Sequence, residues 1–171
     1  VVVSNGSDKA LRGTITVYPS EGDSVAETFA LEPYSVRSVL LDEIVEAPHV
    51  AALIEVQGGE VSVQHEVRGS TGRAVGACAV APATSWFFPA GTTRAGADMV
   101  LSVFNPFPSD AVLDISFETD DGSRTPQAFQ GLVVPGGRVI AINVSDVVTL
   151  REEVATTIEA RAGRVVVNQI Q

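Results

Sequence analysis

Four groups of residues have types and spacings that could do chemistry. Trp86-Phe87-Phe88 gathers three aromatics in a chain that has one Trp, two Tyr and seven Phe. Aromatic rings stack on the apolar faces of sugars, so Trp86, Phe88 and, in the first half, Tyr34 are candidate ligand-stacking residues. In a strand, alternate side chains face opposite ways, so the competing and favoured reading buries Trp86 or Phe87. Glu118, Asp120 and Asp121 before Gly122 cluster the oxygens that a hard cation takes. The Asp-x-Asp-x-Asp-Gly-x₅-Glu spacing is missing, and Asp-Gly is a hairpin signal, so a turn is expected and no metal. Glu21-Gly22-Asp23 reads the same way. Asn5 and Asn105 could accept a ligand hydrogen bond, but the expectation is that each closes a turn on its own backbone. Asn5-Gly6-Ser7 and Asn143-Val144-Ser145 fit the glycosylation sequon and carry no weight.

Cys78 is the one cysteine, so it is either a free thiol or half of a disulfide to a cysteine outside this chain. A Cys/His zinc site would need His49, His65 and a carboxylate to converge on it, and none is expected. Lys9 is the only lysine, which leaves little for Schiff-base or phosphate chemistry. The Gly-x-Ser-x-Gly elbow of serine hydrolases is absent, as is a phosphate-cradling glycine loop. Glu55 and Glu159 are expected on the outer faces of strands, with Arg37 and Arg138 as partners. No catalytic residue, cofactor or metal ligand is expected, and the chain is read as not an enzyme.

The elements that hold these residues repeat. Val3-Ser4-Asn5 lies on Val103-Phe104-Asn105, with Ile15 on Ile115 and Gly22 on Gly122, at an offset of 100 residues. Further along, Val50, Ile54, Gly59 and Val63 fall on Val154, Ile158, Gly163 and Val167 at an offset of 104. The drift puts insertions in loops, where they are tolerated. Leu113, Ile115 and Phe117 alternate with Asp114, Ser116 and Glu118, the period of a half-buried antiparallel strand. Short strands between turn signals predict a sandwich or barrel. Helical turns are expected only near Asp42–Glu46 and Val147–Val154.

The expected fold is all-β: two tandem, homologous, immunoglobulin-like antiparallel sandwiches. Repeat A spans 1–67, a linker 68–84, and repeat B 85–171. Repeat B has seven predicted strands, at 85–89, 99–105, 111–119, 126–134, 138–144, 153–161 and 164–170. Repeat A has counterparts of all but the first, so an opening strand is expected beyond this chain. Its absence leaves an edge that invites pairing with another chain.

Composition sets the outer bounds. Eleven basic residues against 21 acidic ones give a net charge of −10. That discourages nucleic acid, which recruits basic surfaces, and anionic membranes. No apolar run approaches the roughly 20 residues of a bilayer span.

The stretches Trp86-Phe87-Phe88-Pro89-Ala90-Gly91-Thr92-Thr93, Leu101-Ser102-Val103-Phe104-Asn105-Pro106-Phe107 and Val133-Val134-Pro135-Gly136-Gly137-Arg138 resemble a family of uncharacterised exported actinobacterial proteins, a domain of unknown function. The resemblance covers about residues 70–171, with the first half as a weaker copy. It implies an extracytoplasmic, membrane-tethered envelope protein whose anchor lies outside this chain. Cys78, ahead of the tryptophan strand, fits an oxidising compartment. The resemblance supplies no catalytic motif. The leading expectation is a non-enzymatic spacer, scaffold or protein-interaction surface with protein or cell-wall partners. The alternative is a carbohydrate-binding module using exposed aromatics, and a carboxylate-pair hydrolase ranks third.

Overall fold

The computed structural model describes residues 1–69 and 72–171. The chain is all-β and every strand pairing is antiparallel. It divides into two compact units, Val1–Val80 and Ala81–Gln171. Each is a two-sheet sandwich with its own apolar core.

The first unit contains β1 (Val2–Ser4), β2 (Leu11–Pro19), β3 (Val25–Leu31), β4 (Val36–Ser38), β5 (Val50–Gln57), β6 (Ser62–Gly69) and β7 (Gly72–Ala77). Its sheets run β4-β1-β6-β7 and β3-β2-β5. Alternation along β2 drives Leu11, Ile15 and Val17 inward, where they meet Val3, Phe29 and Leu31.

The second unit contains β8 (Ser85–Phe88), β9 (Val100–Asn105), β10 (Ala111–Thr119), β11 (Gly122–Arg124), β12 (Gln130–Val134), β13 (Arg138–Asn143), β14 (Val154–Ala162) and β15 (Val166–Ile170). One sheet is β13-β9-β15. The other is β11-β10-β14-β8, with β12 sharing the β11 side of β10. Leu113, Ile115 and Phe117 of β10 point into the core with Leu101, Val103 and Ile158.

The strand order of β1 to β6 matches that of β9 to β15 if β11 and β12 together stand for β3. Two strands break the match. β7 adds to β6 in the first unit, and β8 adds to β14 in the second. In the usual immunoglobulin order the opening strand shares a sheet with the second strand, and the last strand with the sixth. Here β8 lies beside β14 and β15 beside β9, so the two terminal strands sit on exchanged sheets.

Three details differ from the sequence expectation. Residues 72–77, read as linker, form β7. Gly72, Ala74 and Gly76 give that segment too little apolar contrast to read as a strand. The strand expected at 126–134 is interrupted: Pro126 cannot donate to a ladder, and a 3₁₀ turn at Gln127–Phe129 tucks Phe129 against Phe117, ring centroids 6.0 Å apart. The second helical turn lies earlier than expected, at Val144–Asp146, where the Asn143 side chain accepts from the Ser145 N–H. The first lies at Leu41–Glu43, overlapping its expected place.

Candidate functional site

β8 carries the aromatic run, and strand alternation sorts it. Trp86 and Phe88 turn inward and pack against the second core, whereas Phe87 is 68% exposed. The Trp86 indole Nε1–H donates to the Val165 carbonyl at 2.9 Å, which satisfies the one polar atom its burial would otherwise strand. The faces of Trp86 and Phe88 are therefore packed on the core rather than presented to a sugar. Tyr34 stays outside, 73% exposed, in the β3–β4 turn with φ 51°. Its backbone N–H donates to the Ser7 carbonyl at 3.1 Å, which fixes the turn and leaves the ring in solvent.

Both asparagines are turn latches. Asn5 and Asn105 are each 1% exposed. The Asn5 amide donates to the carbonyls of Lys9 (2.7 Å) and Glu32 (3.0 Å) and accepts from the Ser7 N–H. The Asn105 amide donates to Ser109 (2.8 Å) and Val134 (3.1 Å) and accepts from the Phe107 N–H. Their buried amides have no face left for a ligand. The sequon at Asn5 is closed by the same burial.

The acidic loop is a hairpin. Asp120 and Asp121 form the turn between β10 and β11, and Gly122 takes the left-handed φ of 89° that favours glycine. Asp121 pairs with Arg124 at 2.7 Å and Arg151 at 3.1 Å, and Glu118 accepts from the Ser123 hydroxyl. Among the described residues no His, Cys, Asp and Glu group has metal-site geometry.

A carboxylate clamp at Asp114 had no signature in the sequence. Its two oxygens take the Gly131 N–H of β12 (2.8 Å) and the Arg161 Nε–H of β14, where the register of β10 shifts against both neighbours. The Arg161 hydrogen bond, then the Gly131 N–H, hold this carboxyl below its ordinary range. Asp114 thus ties three strands together at the site of two irregularities.

Glu55 and Glu159 are exposed, as expected. Arg37 on β4 and Arg138 on β13 belong to the sheets opposite those of Glu55 and Glu159 in their units. Arg37 instead shares a surface hollow of about 480 Å³ with Glu27, Glu43, Val39, Leu40 and Ile44. Cys78 is half-buried with no disulfide partner among the described residues, and burial pushes its thiol up. That leaves less thiolate, so the geometry does not activate it as a nucleophile.

The two units treat one edge differently. β8 seals β14 in the register Thr156↔Phe88 and Ile158↔Trp86, and Ala160 N–H donates to the Thr84 carbonyl at 2.8 Å. Val154, Thr156 and Ile158 are each 1% exposed beneath it. In the first unit β5 pairs with β2 alone among the described residues. There Val50, Ala52 and Ile54, at the matching positions, pack on the core yet stay only half-buried.

Residues 60–170 match the family DUF5719, described as a family of unknown function. The chain belongs to that family. No curated protein matches the chain. A solved structure, the Anabaena sensory rhodopsin transducer, is similar over 53% of this chain and 90% of its own, at 18% identity and a TM-score of 0.45. A likeness that weak and that partial bears on neither fold nor function. No helix among the described residues is long and apolar enough to cross a membrane.

Proposed function

We propose that this chain is a non-enzymatic extracytoplasmic module of the cell envelope, acting as a spacer, scaffold or protein-interaction surface. We further propose that it arose by duplication of one sandwich. The observation that carries the reading is where the polar side chains go. Asn5, Asn105, Asp114, Asp121 and the Trp86 indole, the groups best suited to bind or react, are each engaged in holding strands or turns together. What the described residues offer instead is an unpaired edge on β5 and scattered exposed apolar side chains. Location rests on the resemblance to exported actinobacterial envelope proteins, with tethering through a segment outside these residues. Protein or cell-wall partners suit the acidic surface better than nucleic acid does.

The test is cell fractionation with surface labelling and crosslinking. The expected result is recovery in the envelope fraction, labelling by a membrane-impermeant reagent, and crosslinks to protein. Recovery in the cytosol, or glycoside or peptide hydrolysis by the purified chain, would overturn the reading. A carbohydrate-binding alternative is carried among the candidate stacking residues by Tyr34, whose ring is exposed on a fixed backbone. It predicts glycan-array signals that Tyr34→Ala abolishes.

A further inference from the structure

We propose that the outer face of the β8–β14 pair docks an arginine-bearing segment of a partner polypeptide, with the guanidinium lying on the Phe87 ring and its fork on the Glu159 carboxylate. The inference rests on the protein-interaction reading above and names a surface and the chemistry of its partner. Strand register builds the face. Trp86 and Phe88 pack inward, so Ser85 and Phe87 stand on the outside of β8. Phe87 lies opposite Thr157 of β14, and Ser85 opposite Glu159. One strand further, Thr157 lies opposite Ser116 of β10, and Glu159 opposite Asp114. Glu159 is therefore the diagonal neighbour of Phe87, at a spacing of about 7 Å that long side chains bridge.

The charges on this face select a cation. Asp114 and Glu159 are directly opposite each other on one surface, and like charges so placed repel. Asp114 is compensated by the Gly131 N–H and by Arg161. Glu159 is exposed and has no ion pair among the described residues. Glu118, on the same face of β10, adds further negative charge. Beside these carboxylates stands the exposed ring of Phe87, whose π face attracts cations. An arginine satisfies both at once, because its plane stacks on a ring and its fork matches a carboxylate. A lysine ammonium has neither plane nor fork, and a neutral sugar would leave the repulsion between Asp114 and Glu159 in place. The second unit makes each half of this contact internally: Arg164 lies over the Phe107 ring at 5.1 Å, and Arg161 holds Asp114.

The experiment is an NMR titration of the isotope-labelled full chain with a blocked peptide of glycines around one arginine. The expected result is saturable shifts at the amides of Phe87, Thr157 and Glu159. Phe87→Ala keeps every charge and should weaken binding about threefold or more, as should Glu159→Gln. Both side chains are exposed, so both variants should keep the fold. The decisive comparison needs no variant: citrulline has the shape of arginine without its charge, and the citrulline peptide should leave these amides unshifted. No saturable shift, equal shifts with citrulline, or binding indifferent to Phe87→Ala overturns the inference. Shifts of the same amides by a chitin oligosaccharide and not by the arginine peptide would assign the face to sugar. Concentration-dependent dimerisation that Phe87→Ala abolishes would assign it to a second copy. Either result overturns the inference as well. Crosslinks to protein at surfaces remote from Phe87, with no peptide binding, would sink this site and leave the interaction reading standing.

Discussion

Asn5 and Asn105 show what a side-chain amide does when it is buried in a turn: it replaces peptide groups that the turn leaves without partners. Each donates two bonds and accepts at least one. Asn105→Ala would leave two carbonyls and one N–H unpaired in a buried site. The expected loss is about 3 kcal/mol of the second unit's stability, measured by denaturant unfolding. This role was legible in the sequence, because an asparagine at the end of a strand and before Gly or Pro mimics a peptide. The Asp114 clamp was not, because nothing local to Asp114 says that Gly131 and Arg161 will meet it. His65 was equally opaque. Its imidazole lies across Gly76, where a Cβ would come within 2.5 Å of Cε1, so the glycine of β7 makes room for the ring. Burial pushes this imidazole below its ordinary 6.5. The folded state then binds the proton less readily than the unfolded one. Stability of the first unit is present in full above 6.5 and falls as pH drops through that value toward the folded pKa. Unfolding measured between about pH 7 and pH 5 should show this fall, and His65→Gln should reduce it.

Among the strands, β8 gives the clearest case of alternation overriding composition. A contiguous aromatic run suggests a binding platform, but the pleat turns Trp86 and Phe88 inward and only Phe87 outward. Trp86→Ala should cost about 3–5 kcal/mol through lost packing, the Val165 carbonyl keeping the Ala83 N–H. Phe87→Ala should change stability by about 0.5 kcal/mol or less. Equal effects in thermal melts would refute the assignment of faces. Strands whose apolar residues contrast with polar neighbours, such as β10, were readable to the residue. β7 was not, because Gly and Ala alternate with little contrast. The break at Pro126 carried a proline signal, and β11 ahead of it is the return strand of the local Asp-Gly hairpin off β10.

Across the whole molecule, two sandwiches share a strand order and differ in how fully each is closed. Sixteen buried hydrophobics form the second core and six the first, counted among the described residues. Burial scales with stability, so the first unit should unfold at lower temperature. Calorimetry should show two transitions, with Leu11→Ala lowering only the first and Leu113→Ala only the second. A single transition shifted alike by both variants would contradict two independently cored units. The repeat of apolar register was visible in the sequence, and the open edge followed from counting strands. The exchange of the two terminal strands between sheets was not visible, because pairing partners are set by the packed core and not by the order of strands.

Among the described residues the two units present the same edge in opposite states, sealed by β8 in one and unpaired on β5 in the other. Native-state hydrogen exchange is the deciding measurement, because an edge N–H that faces solvent exchanges by local fluctuation. The amides of Thr156 and Ile158 should exchange only with unfolding of the second unit, while those of Ala52 and Ile54 should exchange far faster than unfolding of the first. Protection of Ala52 and Ile54 up to the global stability of their own unit would contradict an open edge on β5.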